Sequence, residues 1–276
     1  MRVRVSPPAP IIQRQSESLK PPLKWAGGKR WLLPHVASVW RGHSKRCYIE
    51  PFCGGLAVAL GLQPKRALLN DLNPHLINFY RHAQRGLTLE IEMRYDEKLF
   101  YSHRARFNQI ITHGGAKSRE AAQLFYYLNR TCYNGLCRFN QSGEFNVPFG
   151  KYKAVNYTSD FLAYRDVLRK WKFSNVDLEK LEIARDDFVY ADPPYDVEFT
   201  SYSAGGFAWD DQVRTAELLA RHRGPVLLSN QATSRIVRLY RQLGFRLKFL
   251  DGPRRISSDG SRAAAREVIA FKDARS

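Results

Sequence analysis

Short apolar runs recur along this chain at the spacing of strands alternating with helices, and the rhythm stops in the middle. From Lys20 to about Arg85, "CYIEPF" (Cys47–Phe52) and "ALLND" (Ala67–Asp71) read as strands. Helix-like stretches follow them at Leu56–Leu62 and Pro74–Arg85. The pattern returns with a short strand at Phe173–Val176, then "DFVYAD", "PVLLSN", "FRLKFLD" and "EVIAFK". Helical segments are expected near Asp210–Arg223 and Ser234–Leu243. Such alternation implies a mostly parallel sheet covered by helices on both faces. The last two strands lack a helix between them, so an antiparallel pair is expected at that edge.

The interruption, residues 87–170, has a different texture. Leu87–Leu128 reads as helical, and a loop rich in Asn, Gly, Phe and Tyr follows. The expected organisation is a catalytic domain built from residues 21–86 and 171–276, a second domain at 87–170, and a disordered tail at 1–20. The tail is expected from its Pro, Ser, Gln and Arg content.

Charge says more than length here. Among 276 residues, 44 Lys and Arg face 26 Asp and Glu, a net charge of +18. A field of that size attracts polyanions. Its positive residues lie in glycine- and aromatic-rich loops, which favours nucleic acid over a membrane surface. No apolar run reaches the roughly 18 residues of a membrane span, and no signal-peptide pattern opens the chain. Cys47, Cys53, Cys132 and Cys137 have neither metal-site nor disulfide-framework spacing. They read as reduced thiols in a cytoplasmic protein. His75, His82, His103 and His113 show no partner spacing.

Two stretches carry chemistry. "YIEPFCGGLAVALGL" reads as strand, tight turn and helix. In an open α/β sheet, ligands bind beyond the carboxyl ends of the strands. A glycine pair alone is also what an ordinary βα turn needs. Asp71 adds to it, because an acid ending the second strand, roughly twenty residues on, can accept ribose hydroxyls. The dinucleotide fingerprint and the P-loop are both absent, so a nucleoside without phosphates, such as S-adenosylmethionine, fits better than NAD or ATP.

The second stretch is "YADPPYD". Asp192 ends a strand where the ligand cleft should be. The prolines stiffen the backbone and remove competing N–H donors. Asp192 and the Pro193 carbonyl can accept the two hydrogens of an exocyclic amino group, while Tyr195 stacks on the ring. The plainer account is a stiff strand-ending turn. An aspartate, with an ordinary pKa of about 3.9, cannot deprotonate a neutral aromatic amine beforehand. It can orient the amine and stabilise the positive charge that grows during attack. Hydrogen bonds to charged groups contribute roughly 1.5–3 kcal/mol each, and base stacking about 1–3 kcal/mol. Together these offset the few kcal/mol needed to flip a base from a duplex.

These residues resemble Dam-type (D12 class) DNA adenine-N6 methyltransferases, a family that includes GATC enzymes and a GATATC relative. The motifs "LKWAGGKRWLLP", "YIEPFCGG", "LLNDLN", "YLNRTCYNGLCRFNQSGEFNVPFGKYK", "VYADPPYD", "LLSNQAT" and "RRISSDGSR" occur in the family's order. The resemblance implies a Rossmann-like S-adenosylmethionine-dependent sheet with an inserted, mainly helical target-recognition domain. It implies a site-specific enzyme that flips adenine from double-stranded DNA, as an orphan regulator or a restriction partner. Trp25, Ala26, Gly27, Lys29, Glu50, Phe52, Gly54, Gly55, Asp71 and Asp192 would line the cofactor pocket. Asp192, Pro193, Pro194 and Tyr195 would hold the flipped base.

Lys24, Arg130, Tyr133, Asn134, Leu136, Arg138, Asn140, Asn146 and Pro148 would meet DNA, with Arg254 and Arg255 on phosphates. For each polar residue of that loop, local structure is the competing account, since Asn and Gly are ordinary turn residues. No metal is expected, because methyl transfer from a sulfonium requires none. The enzyme would act as a monomer or homodimer on DNA in a bacterial or phage-infected cytoplasm. The family has a glycine where this chain has Leu56, so the turn is expected to shift slightly. An RNA or cytosine-N4 methyltransferase with the same tetrapeptide, or a non-catalytic DNA-binding regulator, are the rival readings.

Overall fold

A computed structural model describes residues 19–196, 206–252 and 266–274. The strands are β1 (Tyr48–Glu50), β2 (Ala67–Asn70), β3 (Trp171–Ser174), β4 (Phe188–Ala191), β5 (Val226–Gln231), β6 (Arg246–Asp251) and β7 (Arg266–Lys272). The helices are α1 (Leu33–Trp40), α2 (Ala57–Leu62), α3 (Pro74–Ala83), α4 (Glu97–Thr112), α5 (Arg119–Thr131), α6 (Leu162–Leu168), α7 (Trp209–Arg221) and α8 (Ser234–Gln242).

The strands form one seven-stranded sheet in the order β3-β2-β1-β4-β5-β7-β6. β1 to β5 pair with one another in parallel, and β7 is antiparallel to both β5 and β6. The fold is the expected Rossmann-like α/β sheet. The antiparallel pair closes that edge, with the last strand on the inside of it. β4 is buried along its whole length, which is why "FVYA" is continuously apolar rather than alternating. β6 is the edge strand, and it exposes Arg246 and Lys248. Charges there discourage further strand pairing.

Side chains alternate across the strands, so the sheet feeds two cores. Tyr48, Phe188, Tyr190 and Leu227 face one, while Ile49, Val189, Ala191 and Leu228 face the other. The second core lies under α7 and α8. The first extends through α3 into the middle of the chain, where Phe79 stacks on Tyr126 at 5.5 Å and meets Phe161 edge-on at 5.4 Å. Phe100, Phe107 and Phe125 belong to the same buried cluster. The middle segment therefore shares its core with α3.

Three local expectations are corrected. Leu87–Leu128 is not one helical run: residues 87–96 carry no helix, and α4 begins only after Asp96, whose carboxylate accepts from Leu99 N at 2.8 Å. A turn at residues 113–118 then separates α4 from α5, and Ser118 caps α5 by accepting from Ala121 N. Gly114 there has φ +84°, which ends a helix at little cost. Strand β3 lies two residues earlier than expected, opening at Trp171, which pairs with Ala67, rather than at Phe173. The loop before it holds a short helix, α6, which the sequence pattern did not reveal. Of the expected tail, residues 1–18 lie outside the described residues.

Candidate active site

The turn after β1 is shaped by a tryptophan. Gly54 has φ +41°, and a Cβ there would sit 2.7 Å from Trp25 Nε1. A Cβ on Gly55 would lie 2.9 Å from Trp25 Cβ. Both glycines are therefore required by the indole lying across the turn. Asp71 fastens the turn from β2: Oδ2 accepts from Gly54 N and Oδ1 from Asn73 N, each at 3.0 Å. Tyr80 donates its hydroxyl to the Gly54 carbonyl at 2.7 Å.

Leu56 keeps the left-handed conformation, φ +60°, while fully buried. The turn thus holds a glycine-like geometry with leucine, at a steric cost of about 1–2 kcal/mol against burial of about 1.5–3 kcal/mol. Burial raises the Asp71 carboxyl above its ordinary value, and the two backbone donors oppose that shift. A carboxylate has about four lone-pair sites, so Asp71 retains acceptor capacity for ribose hydroxyls. Glu50 is more deeply placed: it accepts from Tyr48 Oη at 3.0 Å, and burial raises its carboxyl well above the usual range. Beyond the ends of β1 and β2, a shallow hollow has Pro51, Phe52, Leu72, Leu178 and Phe207 on its apolar side and Asp177, Asp211 and Arg214 on its charged side. The apolar side offers packing for a flat ring, and the charged side offers polar partners at its rim.

Asp192 follows β4 directly and faces this turn. Lys29 Nζ lies 3.2 Å from Asp192 Oδ2 and donates to the Gly27 carbonyl at 3.1 Å. Ser229, on the neighbouring β5, donates to Asp192 Oδ1 at 2.8 Å, and Tyr190 Oη lies 3.0 Å from the same hydroxyl. Burial raises the Asp192 carboxyl above its ordinary value, while Lys29 and Ser229 hold it down. These partners favour the ionised, acceptor form.

The rest of the tetrapeptide is braced from behind. Tyr195 donates to Glu267 Oε2 at 2.6 Å, and Lys29 Nζ sits 4.1 Å above the tyrosine ring centre. Burial, with Asp192 and Glu267 nearby, raises the phenol far above its ordinary value. Gln212 donates to the Pro194 carbonyl at 2.6 Å and accepts from Asn230 Nδ2 at 3.0 Å. Asp196 accepts from Thr233 Oγ1 at 2.9 Å and pairs with Arg235. No described residue donates to the Pro193 carbonyl. The stiffness expected from two prolines is thus supplemented by side chains from β5, β7, α7 and α8.

Sequence reasoning missed Ser229, Glu267, Gln212 and Asn230. The signal for Ser229 and Asn230 was polar residues inside the apolar run "PVLLSN". For Glu267 it was a single acid opening "EVIAFK", which binary patterning alone reads as a strand boundary.

The expected DNA-contacting residues divide into two groups. Tyr133, 52% exposed, and Asn134 project from a turn, with Pro148 exposed beside them. Tyr133 N donates to the Pro148 carbonyl at 2.9 Å, and Asn134 has φ +53°. The polar residues on either side are occupied locally. Arg138 Nε donates to Asn146 Oδ1 at 2.8 Å. Asn140 Oδ1 accepts from Glu144 N at 2.9 Å. Arg130 donates twice to the Asn156 carbonyl, at 3.1 and 2.7 Å.

Lys24 joins the segments: Nζ donates to the Arg130 carbonyl at 3.1 Å and lies 3.4 Å from the Tyr152 ring centre. Leu136 is half-buried, and Cys137 accepts from Asn73 Nδ2 at 3.2 Å. Ala26 is exposed in the turn before Lys29. Arg254 and Arg255 lie outside the described residues.

The sequence family of D12 class N6 adenine-specific DNA methyltransferases matches residues 25–253. The chain belongs to that family. A Type II methyltransferase, M1.LlaDCHI, from Lactococcus lactis is 32% identical over 94% of this chain and 96% of its own length. A DNA adenine methylase from Vibrio cholerae is 35% identical over 87% of this chain and 90% of its own. A DNA N-6-adenine-methyltransferase of phage P1 is 34% identical over 89% of this chain but only 34% of its own length. This D12 class chain is thus an adenine-N6 DNA methyltransferase, and the RNA, cytosine-N4 and non-catalytic readings give way to it. Among the described residues, no helix is long and apolar enough to cross a membrane.

Proposed function

We propose that the chain binds S-adenosylmethionine beyond the carboxyl ends of β1 and β2, flips an adenine out of duplex DNA and methylates its N6 by direct displacement. The observation that carries this reading is the pairing of Asp192 with Lys29 and Ser229 beside the Gly54–Asp71 turn. A carboxylate kept in acceptor form there lies next in sequence to two prolines and a tyrosine that can stack on a ring.

The residues fit the cofactor. Asp71 has acceptor capacity left for ribose, Leu72 and Phe52 offer apolar surface for a purine, and Trp25 closes the glycine turn. S-adenosylmethionine, when bound, supplies a methyl group on a positively charged sulfur. Asp192 and the Pro193 carbonyl accept the two N6 hydrogens and aim the nitrogen lone pair. Asp192 then stabilises the positive charge growing on N6, and it takes the proton directly or passes it to water. Tyr195 stacks on the adenine and excludes water from that face.

Residues 87–170 act as the target-recognition region, with Tyr133 entering the space vacated by the base and Asn134 beside it. The engaged Arg138–Asn146 pair presents a preformed loop to DNA. The NGLCRFN run supports a short GATC-type target, and the bacterial and phage relatives support action in the cytoplasm.

The test is transfer of a labelled methyl group from S-adenosylmethionine to PCR-amplified DNA, followed by digestion to nucleosides. Label should appear in N6-methyl-2′-deoxyadenosine, and Asp192→Ala should abolish transfer while DNA binding persists. Near-normal turnover of Asp192→Ala would sink the mechanism. Mapping the methylated adenines gives the target sequence.

A further inference from the structure

Glu267 stands apart from every residue considered so far. It belongs to β7, the antiparallel strand, and lies opposite Gln231 of β5. It is only 4% exposed. A carboxylate so deeply placed needs a partner, because burying an unpaired one costs several kcal/mol. Its described hydrogen-bond partner is the Tyr195 hydroxyl, at 2.6 Å. A tyrosine that only stacks does not require an acid behind its hydroxyl; phenylalanine would cover the same area.

We infer that Glu267 is a positioning residue for methyl transfer: through the Tyr195 hydroxyl it fixes the plane of the ring and strengthens that ring's face for positive charge. The geometry supplies both halves of this. The bond ties the tip of the ring to a strand in the sheet, so the ring cannot swing with its loop. One face of the ring already carries a cation, since Lys29 Nζ lies 4.1 Å from its centre, and the opposite face is the one assigned to the adenine. Aromatic faces attract cations through their quadrupole, and a carboxylate accepting from the phenol pushes electron density into the ring. Positive charge develops on the adenine as its amino group is methylated, so a firm, electron-rich face favours the transition state over the ground state. No proton leaves Tyr195 in this role, and the hydrogen bond is kept throughout.

This inference rests on Tyr195 being the ring that stacks on the target adenine, and the experiment separates the two. Single-turnover methylation of unmethylated PCR-amplified DNA is measured for Glu267→Ala, Glu267→Gln, Tyr195→Phe, Tyr195→Ala and the Tyr195→Phe/Glu267→Ala pair. S-adenosylmethionine affinity and thermal unfolding are measured for each. Glu267→Ala is expected to slow transfer at least tenfold with cofactor affinity within twofold of wild type. Glu267→Gln, which can still accept from the phenol, should recover most of that loss. In the Tyr195→Phe background, Glu267→Ala should add less than twofold, since the partner is already gone.

Equal losses in both backgrounds, or a normal rate in folded Glu267→Ala, overturn the positioning role. If Glu267→Ala does not fold, Glu267→Gln against Tyr195→Phe decides: a Gln variant slower than Tyr195→Phe overturns it, and one faster supports it. Should Tyr195→Ala also transfer normally, the stacking assignment itself falls. If Tyr195→Ala is inactive while Glu267→Ala is normal, only the positioning role falls.

Discussion

Asp192 is held in tension at the scale of one side chain. Burial favours its neutral form, and Lys29 and Ser229 favour the charged one. Because the folded carboxyl is raised, activity should fail on the acid side at a pH above the ordinary aspartate value of about 3.9. Removing the nearby positive charge in Lys29→Met should move that limb to still higher pH. A pH–rate profile of single-turnover transfer measures it, and an unmoved limb would mean that some other group is being titrated. Gly54 offers a steric counterpart. Gly54→Ala places a Cβ 2.7 Å from Trp25 Nε1 at a φ of +41°, and should cost about 2–4 kcal/mol of stability. Urea unfolding checks this, and Trp25→Ala in the same chain should remove the clash component, leaving a total smaller than the sum of the two single losses.

The elements of residues 87–170, the proposed recognition region, show where local order comes from. If the Arg138–Asn146 pair preforms the loop, Asn146→Ala should weaken DNA binding through a looser loop, by about tenfold or less. Tyr133→Ala should instead spare binding and reduce base flipping, read as 2-aminopurine fluorescence at the mapped target. Under the same region, His75 at the start of α3 stacks on Phe139 at 4.9 Å and has a buried Nδ1 without a hydrogen-bond partner. Burial lowers its pKa to about 4. The unfolded chain takes up this proton near pH 6.5 and the folded chain only near pH 4, so stability is lost as pH falls through that window. The full loss is about 3 kcal/mol. Denaturation midpoints of His75→Leu should therefore vary less between pH 6.5 and 4 than those of the parent chain.

Much of this was legible beforehand. The strand "DFVYAD" declared itself because a strand buried on both faces is continuously apolar, and the acid and prolines at its end marked the site. The break before Glu97 was legible but missed: Leu89, Ile91 and Met93 alternate with polar residues at the period of extended chain, and they pack that way against the core. Glu267, by contrast, was hidden. It reaches Tyr195 from a distant strand, and such contacts leave no local periodicity.

At the scale of the whole molecule, a charge of +18 surrounds a site whose own groups are largely paired. Affinity for DNA should then rest mainly on phosphate contacts and be strongly salt dependent. Between 50 and 200 mM salt, binding measured by fluorescence anisotropy should weaken about a thousandfold or more if six or more phosphates are neutralised. A flat response would place the positive field away from the DNA. The sheet order has a temporal meaning as well. Among the described residues, β6 touches the sheet through β7, and β7 follows every other strand in sequence. On the ribosome, β1 to β5 emerge first with Asp192 and Ser229 already present, but the brace for Tyr195 arrives only when residue 267 leaves the exit tunnel. A nascent chain can therefore set the Asp192–Ser229 pair before the Tyr195 hydroxyl has its acceptor, so the two halves of the candidate site are separated in time during synthesis.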